Sequence, residues 1–336
     1  MAAPLSTTDA EVQSVLNRLA IFAQNSLTER ADCAKLLHTV AESEELLVKG
    51  VRALQKSTVT AVGIELCSTI NSVAESKDWV GWAQVLDAMF LLLANCCLSD
   101  DLTCHLTLLE LPLKSTSMSN DGEELNPFAC AVGKLLNSAD QPQLPGTTIF
   151  AAFDLVATIA ANSSAVRTAL GRAGIMSAVL FAMKSRKVDL DVLYGGTMCF
   201  STLTMADTVN GKRLVEAGGV QVLLDIYKYC STKGPTMSAE PAANSGGNLS
   251  TSQRETAKSI AKNCEQSLMN LMKVPFDCLD EAIGKANFGK YGAVVAMDEL
   301  QWNLKQERKR CQQLLAAFRE EKKKRDAAAG VAMATS

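Results

Sequence analysis

Aromatic residues are scarce: Phe, Tyr and Trp together make up 5% of the 336 residues. Strands draw on aromatic and β-branched side chains, so this shortage, beside plentiful Ala, Leu, Val and Lys, argues for helix. Proline is also rare, with 8 in the whole chain, and few helices need be interrupted. Only two histidines occur, His38 and His105. Each stands beside leucines in a helical stretch without a partner in sequence, and both read as structural. Long apolar runs are missing too. The longest without a charge, Ala88 to Leu98, falls far short of the 20 or so residues of a membrane span. The opening Met-Ala-Ala-Pro has no basic region followed by an apolar core, and no signal peptide is expected.

Recognisable chemistry is equally thin. There is no Gly-x-Ser-x-Gly elbow, phosphate-binding loop, dinucleotide glycine pattern, zinc-protease motif or calcium loop, and the expectation is a protein that is not an enzyme and uses no cofactor. The 11 cysteines are scattered and odd in number. Most sit in apolar helical stretches, as Cys67, Cys199 and Cys264 do, which points to a reducing, cytoplasmic setting rather than a disulfide framework. Cys96-Cys97 with Cys104-His105 is the one cluster of donor atoms close in sequence. Adjacent cysteines leave a helix on different sides and no second pair follows, so no metal is expected. Asp189 and Asp191 fall in a turn and read as caps. Gly195-Gly196 reads as a point of close helix packing.

What is present is a repeat at an offset of 44 residues. Ala173-Gly174-Ile175-Met176-Ser177-Ala178-Val179-Leu180 lies over Ala217-Gly218-Gly219-Val220-Gln221-Val222-Leu223-Leu224. Upstream, Leu170 meets Leu214, Ile159 meets Leu203 and Leu155 meets Cys199. Such a period, with Gly between apolar helical runs, is that of helical solenoids, whose units bury their apolar faces only against neighbours. A third copy resumes near Glu255 after the polar stretch 231–254, whose 24 residues restore the register between Leu203 and Leu271.

Spacings of three and four predict helices from Asp9, then near 27–41, 44–55, 58–75 and 79–98. The segment Leu102–Leu113 follows, and Asn126-Pro127 opens a helix with Pro in its first turn. The copies supply 147–162, 163–172, 175–184, 190–205, 209–216 and 220–230. The expected organisation is an all-α solenoid over 9–292, with disordered insertions near 114–125 and 231–254. A long charged helix over 293–328 comes next, and 1–8 and 329–336 are loose tails. On that last helix Met297, Leu300, Leu304, Cys311, Leu314 and Phe318 make a short heptad stripe. Two readings of it stay open, docking along the last repeat as a cap and a short coiled coil with a partner.

The stretch 147–230, with weaker echoes at 79–98 and 255–272, resembles the armadillo repeat family. In that family a short helix turns at Gly into a second, and a long third helix carries Ala-Leu-x-Asn-Leu-Ala. The corresponding residues here are Leu93-Ala94-Asn95-Cys96, Val156-Ala157-Thr158-Ile159, Thr202-Leu203 and Met269-Asn270-Leu271. The resemblance implies a right-handed α-α superhelix of armadillo/HEAT type, whose third-helix Asn would bond an extended ligand in a concave groove. Carried over by position, the groove residues are Asn95, Thr158, Thr202 and Asn270. One turn earlier, where the importin branch has Trp, stand Leu91, Asp154, Met198 and Gln266. Trp79 and Trp82 lie elsewhere, three apart on one helix face, and read as core.

Charge is uneven. Residues 1–125 hold 17 acidic against 8 basic side chains, and residues 305–326 hold 9 basic against 4 acidic. The basic run comprises Lys305, Arg308, Lys309, Arg310, Arg319, Lys322, Lys323, Lys324 and Arg325. The leading expectation is a non-catalytic scaffold or adaptor that binds an extended or helical segment of basic character in its groove. The alternative is a structural attachment protein of the cytoskeleton, cilium or flagellum, whose basic helix grips an acidic lattice such as tubulin tails. RNA suits the run poorly, since Phe318 is its only aromatic and stacking platforms need several. A third idea has the tail folding back onto the acidic half and competing with a partner.

Overall fold

The computed structural model describes residues 7–22, 27–43, 56–98, 103–113, 124–231 and 250–271, together with Ala316 and Glu320. Among the described residues there is no β-strand, and the thirteen helices below carry the architecture. They are α1 (Thr7–Phe22), α2 (Leu27–Ala41), α3 (Lys56–Ser76), α4 (Trp79–Cys97), α5 (Thr103–Leu109), α6 (Pro127–Leu136) and α7 (Gly146–Ala161). Then come α8 (Ser164–Arg172), α9 (Ile175–Ser185), α10 (Leu190–Leu203), α11 (Thr208–Glu216), α12 (Gly219–Ser231) and α13 (Thr251–Leu271). The expected helix at 44–55 and, apart from Ala316 and Glu320, the long helix over 293–328 lie outside the described residues.

Local chemistry sets where these helices start. Asp78 accepts from Gly81 N, Asn126 from Ala129 N, Ser163 from Val166 N and Asp207 from Asn210 N. Each takes up a donor that the first turn leaves orphaned, worth about 1 kcal/mol. Asp189 caps α10 through Asp191 N and Val192 N, the role its sequence position suggests. The 44-residue offset is visible in the backbone. Ser163 and Asp207 cap equivalent helices, and Gly174 and Gly218 stand at φ +80° and +78°. Only glycine enters that left-handed region without strain, and it turns the chain by 70° between α8 and α9.

The helices pack in three rows. Long helices α2, α4, α7, α10 and α13 lie neighbour against neighbour in that order. Beside them run α3, α6, α9 and α12, and the short α5, α8 and α11 form the third row. Phe90, Phe128, Phe153 and Phe200 are fully buried between the rows, and Trp79 and Trp82 join them. α10 sits so close to its neighbours that a Cβ on Gly195 would come within 2.9 Å of the Phe153 side chain. One on Gly196 would come within 2.5 Å of Met183.

α4 bears on one expectation, that of no membrane span. Although its uncharged stretch is short, Trp79–Cys97 as a whole is long and apolar enough to cross a membrane by length and composition, with a mean hydropathy of 1.5. About two thirds of it, 67%, is buried, because it lies between α2 and α7 and has apolar neighbours on most sides.

α13 revises another. It begins at Thr251, so residues 251–254 belong to its first turn and not to the polar insertion expected over 231–254. Ser250 Oγ accepts from Gln253 N (3.2 Å) while Gln253 Oε1 accepts from Ser250 N (3.0 Å). That reciprocal capping box starts the helix a turn early.

Candidate functional site

Successive layers are stapled by side chains that reach back to the carbonyls of the layer before. The ends of the long helices carry carbonyls with no partner in their own helix. His105 on α5 donates from Nε2 to the Cys97 carbonyl at the end of α4 (2.8 Å). The carbonyl can only accept, so the proton is on Nε2. Arg167 on α8 donates to Ala160 and Ala161 at the end of α7 (2.8 and 3.2 Å). Asn210 on α11 donates to Leu203 at the end of α10 (3.2 Å) and to the Arg167 carbonyl (2.8 Å). Arg186 gathers the carbonyls of Ala139, Gln141 and Leu144, each at 2.7 Å. A charged donor that satisfies a carbonyl is worth about 1.5–3 kcal/mol.

The four groove residues inferred from the family resemblance occupy equivalent places on the long row: Asn95 on α4, Thr158 on α7, Thr202 on α10 and Asn270 on α13. Their amides and hydroxyls are largely engaged within the chain. Asn95 donates from Nδ2 to the Ala41 carbonyl of α2 (2.9 Å). Asn270 is 6% exposed. It donates to the Ser201 carbonyl of α10 (3.0 Å) and to Thr204 Oγ1 (3.3 Å), and accepts from Gln266 Nε2 (3.1 Å). Thr202 donates to the Met198 carbonyl in its own helix. Thr158 is half-buried. Thus the two Asn amides tie one long helix to the one before it.

The same row displays further groups. Half-buried Leu91, Asp154 and Met198 stand one turn before Asn95, Thr158 and Thr202. One turn further back are Asp87, Phe150 and Tyr194, also half-buried. The rings of Phe150 and Tyr194 face each other across α7 and α10, with centroids 6.1 Å apart and planes 19° from parallel. Burial pushes the Asp154 carboxyl above the ordinary carboxylate range. Burial also raises Asp87, countered in part by the hydroxyls of Thr148 and Thr147 and by His38. A half-buried carboxylate without a cation is costly for the folded chain.

Elsewhere the cation is supplied. Arg30 pairs with Asp78 at 2.7 Å and lies 4.3 Å over the Trp82 ring, tying α2 to the start of α4. A cleft of about 650 Å³ opens between α5, α6 and α8, lined by Leu109, Leu111, Leu113, Pro127, Ala169 and Arg172 among others. Among the described residues no three His, Cys, Asp or Glu side chains come together in a way that would hold a metal ion. The basic residues Lys305, Arg308, Lys309, Arg310, Arg319, Lys322, Lys323, Lys324 and Arg325 lie outside the described residues. In comparisons with known proteins, no family model, curated protein or solved structure matches this chain.

Proposed function

We propose that this chain is a non-catalytic protein-binding scaffold, an armadillo- or HEAT-like α-α superhelix that engages its partner along the face of the row α2, α4, α7, α10 and α13. One observation carries the reading. Five long helices pack in sequence order, and α4, α7 and α10 among them present half-buried side chains of mixed apolar and acidic character. Repeat stacks of this kind use such extended surfaces to hold segments of other proteins. The acidic balance of residues 1–125 suits a basic segment and acts mainly on the rate of encounter.

Quantitative affinity capture from native cells tests the reading. Leu91→Glu with Met198→Glu places two charges on the face at half-buried positions, and circular dichroism reports whether the helices persist. Proteins captured by the wild type should be lost from the double variant. An identical set captured by both would sink the assignment of this face.

A further inference from the structure

We infer that the face of α7 and α10 takes a lysine or arginine side chain from an extended basic segment of a partner protein, with Asp154 as the carboxylate that receives it and Phe150 and Tyr194 as the wall beside it. This rests on the reading of the long-helix row as the binding face, and it names the chemistry that face reads.

Three features point to a cation. First, the Asp154 carboxylate is half-buried and receives no hydrogen bond or ion pair from the described residues, although Leu91 and Met198 occupy the equivalent positions on α4 and α10. Water has been partly removed from a charge and nothing has replaced it. An incoming ammonium or guanidinium is the group that would repay that loss. Second, the near-parallel Phe150 and Tyr194 rings stand one turn before Asp154 and Met198. Aromatic faces attract cations, and their edges shelter the methylene stem of Lys or Arg. Third, half-buried Asp87 on the neighbouring long helix, faced by the hydroxyls of Thr148 and Thr147 and by His38, extends the acidic character of the face toward α4.

The same geometry argues against the alternative way of holding a chain. Backbone bonding by a ladder of Asn amides needs those amides free. Asn270 spends its amide on Ser201 and Thr204, and Asn95 donates to Ala41. Charge is what this face still has to offer, and its sign selects a basic ligand over an acidic one.

Fluorescence anisotropy with the full chain tests this. The probe is a fluorescein-labelled 12-residue peptide, Lys-Ser-Arg-Ala three times over, and its control has Gln at every basic position. The Lys/Arg peptide should bind, and more weakly as salt rises. Asp154→Asn should weaken it by about tenfold or more, and Tyr194→Leu by several-fold. Asp225→Asn, which removes an exposed acid from α12, outside the binding row, should leave binding unchanged. Full affinity in Asp154→Asn, or an equal loss in Asp225→Asn, would overturn the site. If the Gln peptide binds as tightly as the basic one, the cation assignment falls while the face survives. If neither peptide binds and the Leu91/Met198 double variant captures the same proteins as wild type, the face falls with it. A gain in affinity when Lys322, Lys323, Lys324 and Arg325 are changed to Gln would make the chain's own tail the occupant, and would overturn the assignment to a separate partner.

Discussion

The link from α5 to α6 and the links from α8 to α9 and α11 to α12 do the same job in different ways. In the later two, a glycine at positive φ turns the chain within a few residues, and the short helix lies tight against the next. In the first, α5 ends at Leu109 and α6 begins at Pro127, α5 has 7 residues against 9 in α8 and α11, and the 650 Å³ cleft opens beside it. Yet the long helices α4, α7 and α10 pack in unbroken order past both kinds of link. The stack is therefore held by contacts between long helices and by side chains bonding back to carbonyls. The corner is a local economy that can be given up where a longer connection is wanted.

The largest effect that sharpens this contrast is in the packed row. Phe153→Ala should cost about 3–5 kcal/mol in urea unfolding, because a fully buried ring is lost where Gly195 leaves no slack. Leu113→Ala, at the half-buried rim of the cleft, should cost about 1 kcal/mol or less. Equal losses would break the distinction between the two regions.

Next come the corners. Gly174→Ala forces a Cβ into the left-handed region and should cost about 1–2 kcal/mol. Four Gly/Ser residues inserted after Asn120, within the insertion expected from sequence near 114–125, should change stability by about 0.5 kcal/mol or less, as loop closure grows slowly with length. A large loss from the insertion would mean that the long link is as demanding as the tight one.

The staples follow. Asn270→Ala leaves the Ser201 carbonyl and Thr204 Oγ1 without their donor, at a cost of about 1–2 kcal/mol. Thr202→Ala should cost less than about 0.5 kcal/mol, since its hydroxyl bonds only within its own helix. If Asn270→Ala instead left unfolding untouched, the stapling role would be wrong.

The smallest effect has the opposite sign. The folded chain holds the Asp154 and Asp87 protons more tightly than the unfolded chain does. Both groups therefore oppose folding once ionised. Their penalty grows as pH rises from the ordinary carboxylate range through the raised folded values, and it is fully present at neutral pH. Asp154→Asn should remove its share, so the unfolding midpoint at pH 7 should rise slightly and the gap from wild type should close in acid. A site kept for binding at the expense of stability behaves this way.

Much of this frame is legible in the residues. The 44-residue offset marks α7 to α12, and Ser163, Asp207, Gly174 and Gly218 announce their own caps and turns because capping is a local interaction. The capping box at Ser250 and Gln253 was equally local and could have been read from Ser-x-x-Gln. It was masked by the polar composition around it. The staples were not legible. Asn270 and Ser201 are 69 residues apart, and Arg186 and Leu144 are 42 apart, so their pairing depends on which carbonyl stacking brings alongside. Position within the family pattern picked Asn95 and Asn270 but could not say which way their amides are spent. Asp154 emerged only once its surroundings were known, because an unanswered charge is a property of neighbours.

The staples also have a direction. His105, Arg167 and Asn210 each reach toward the amino end, finishing a helix that was made earlier. At these three joints a chain emerging from the ribosome lays its newer course on one already set and completes it. For these three staples, a cut from the carboxyl end removes the mortar a row at a time, whereas a cut from the amino end frees donors that water readily accepts. Erosion should run one way.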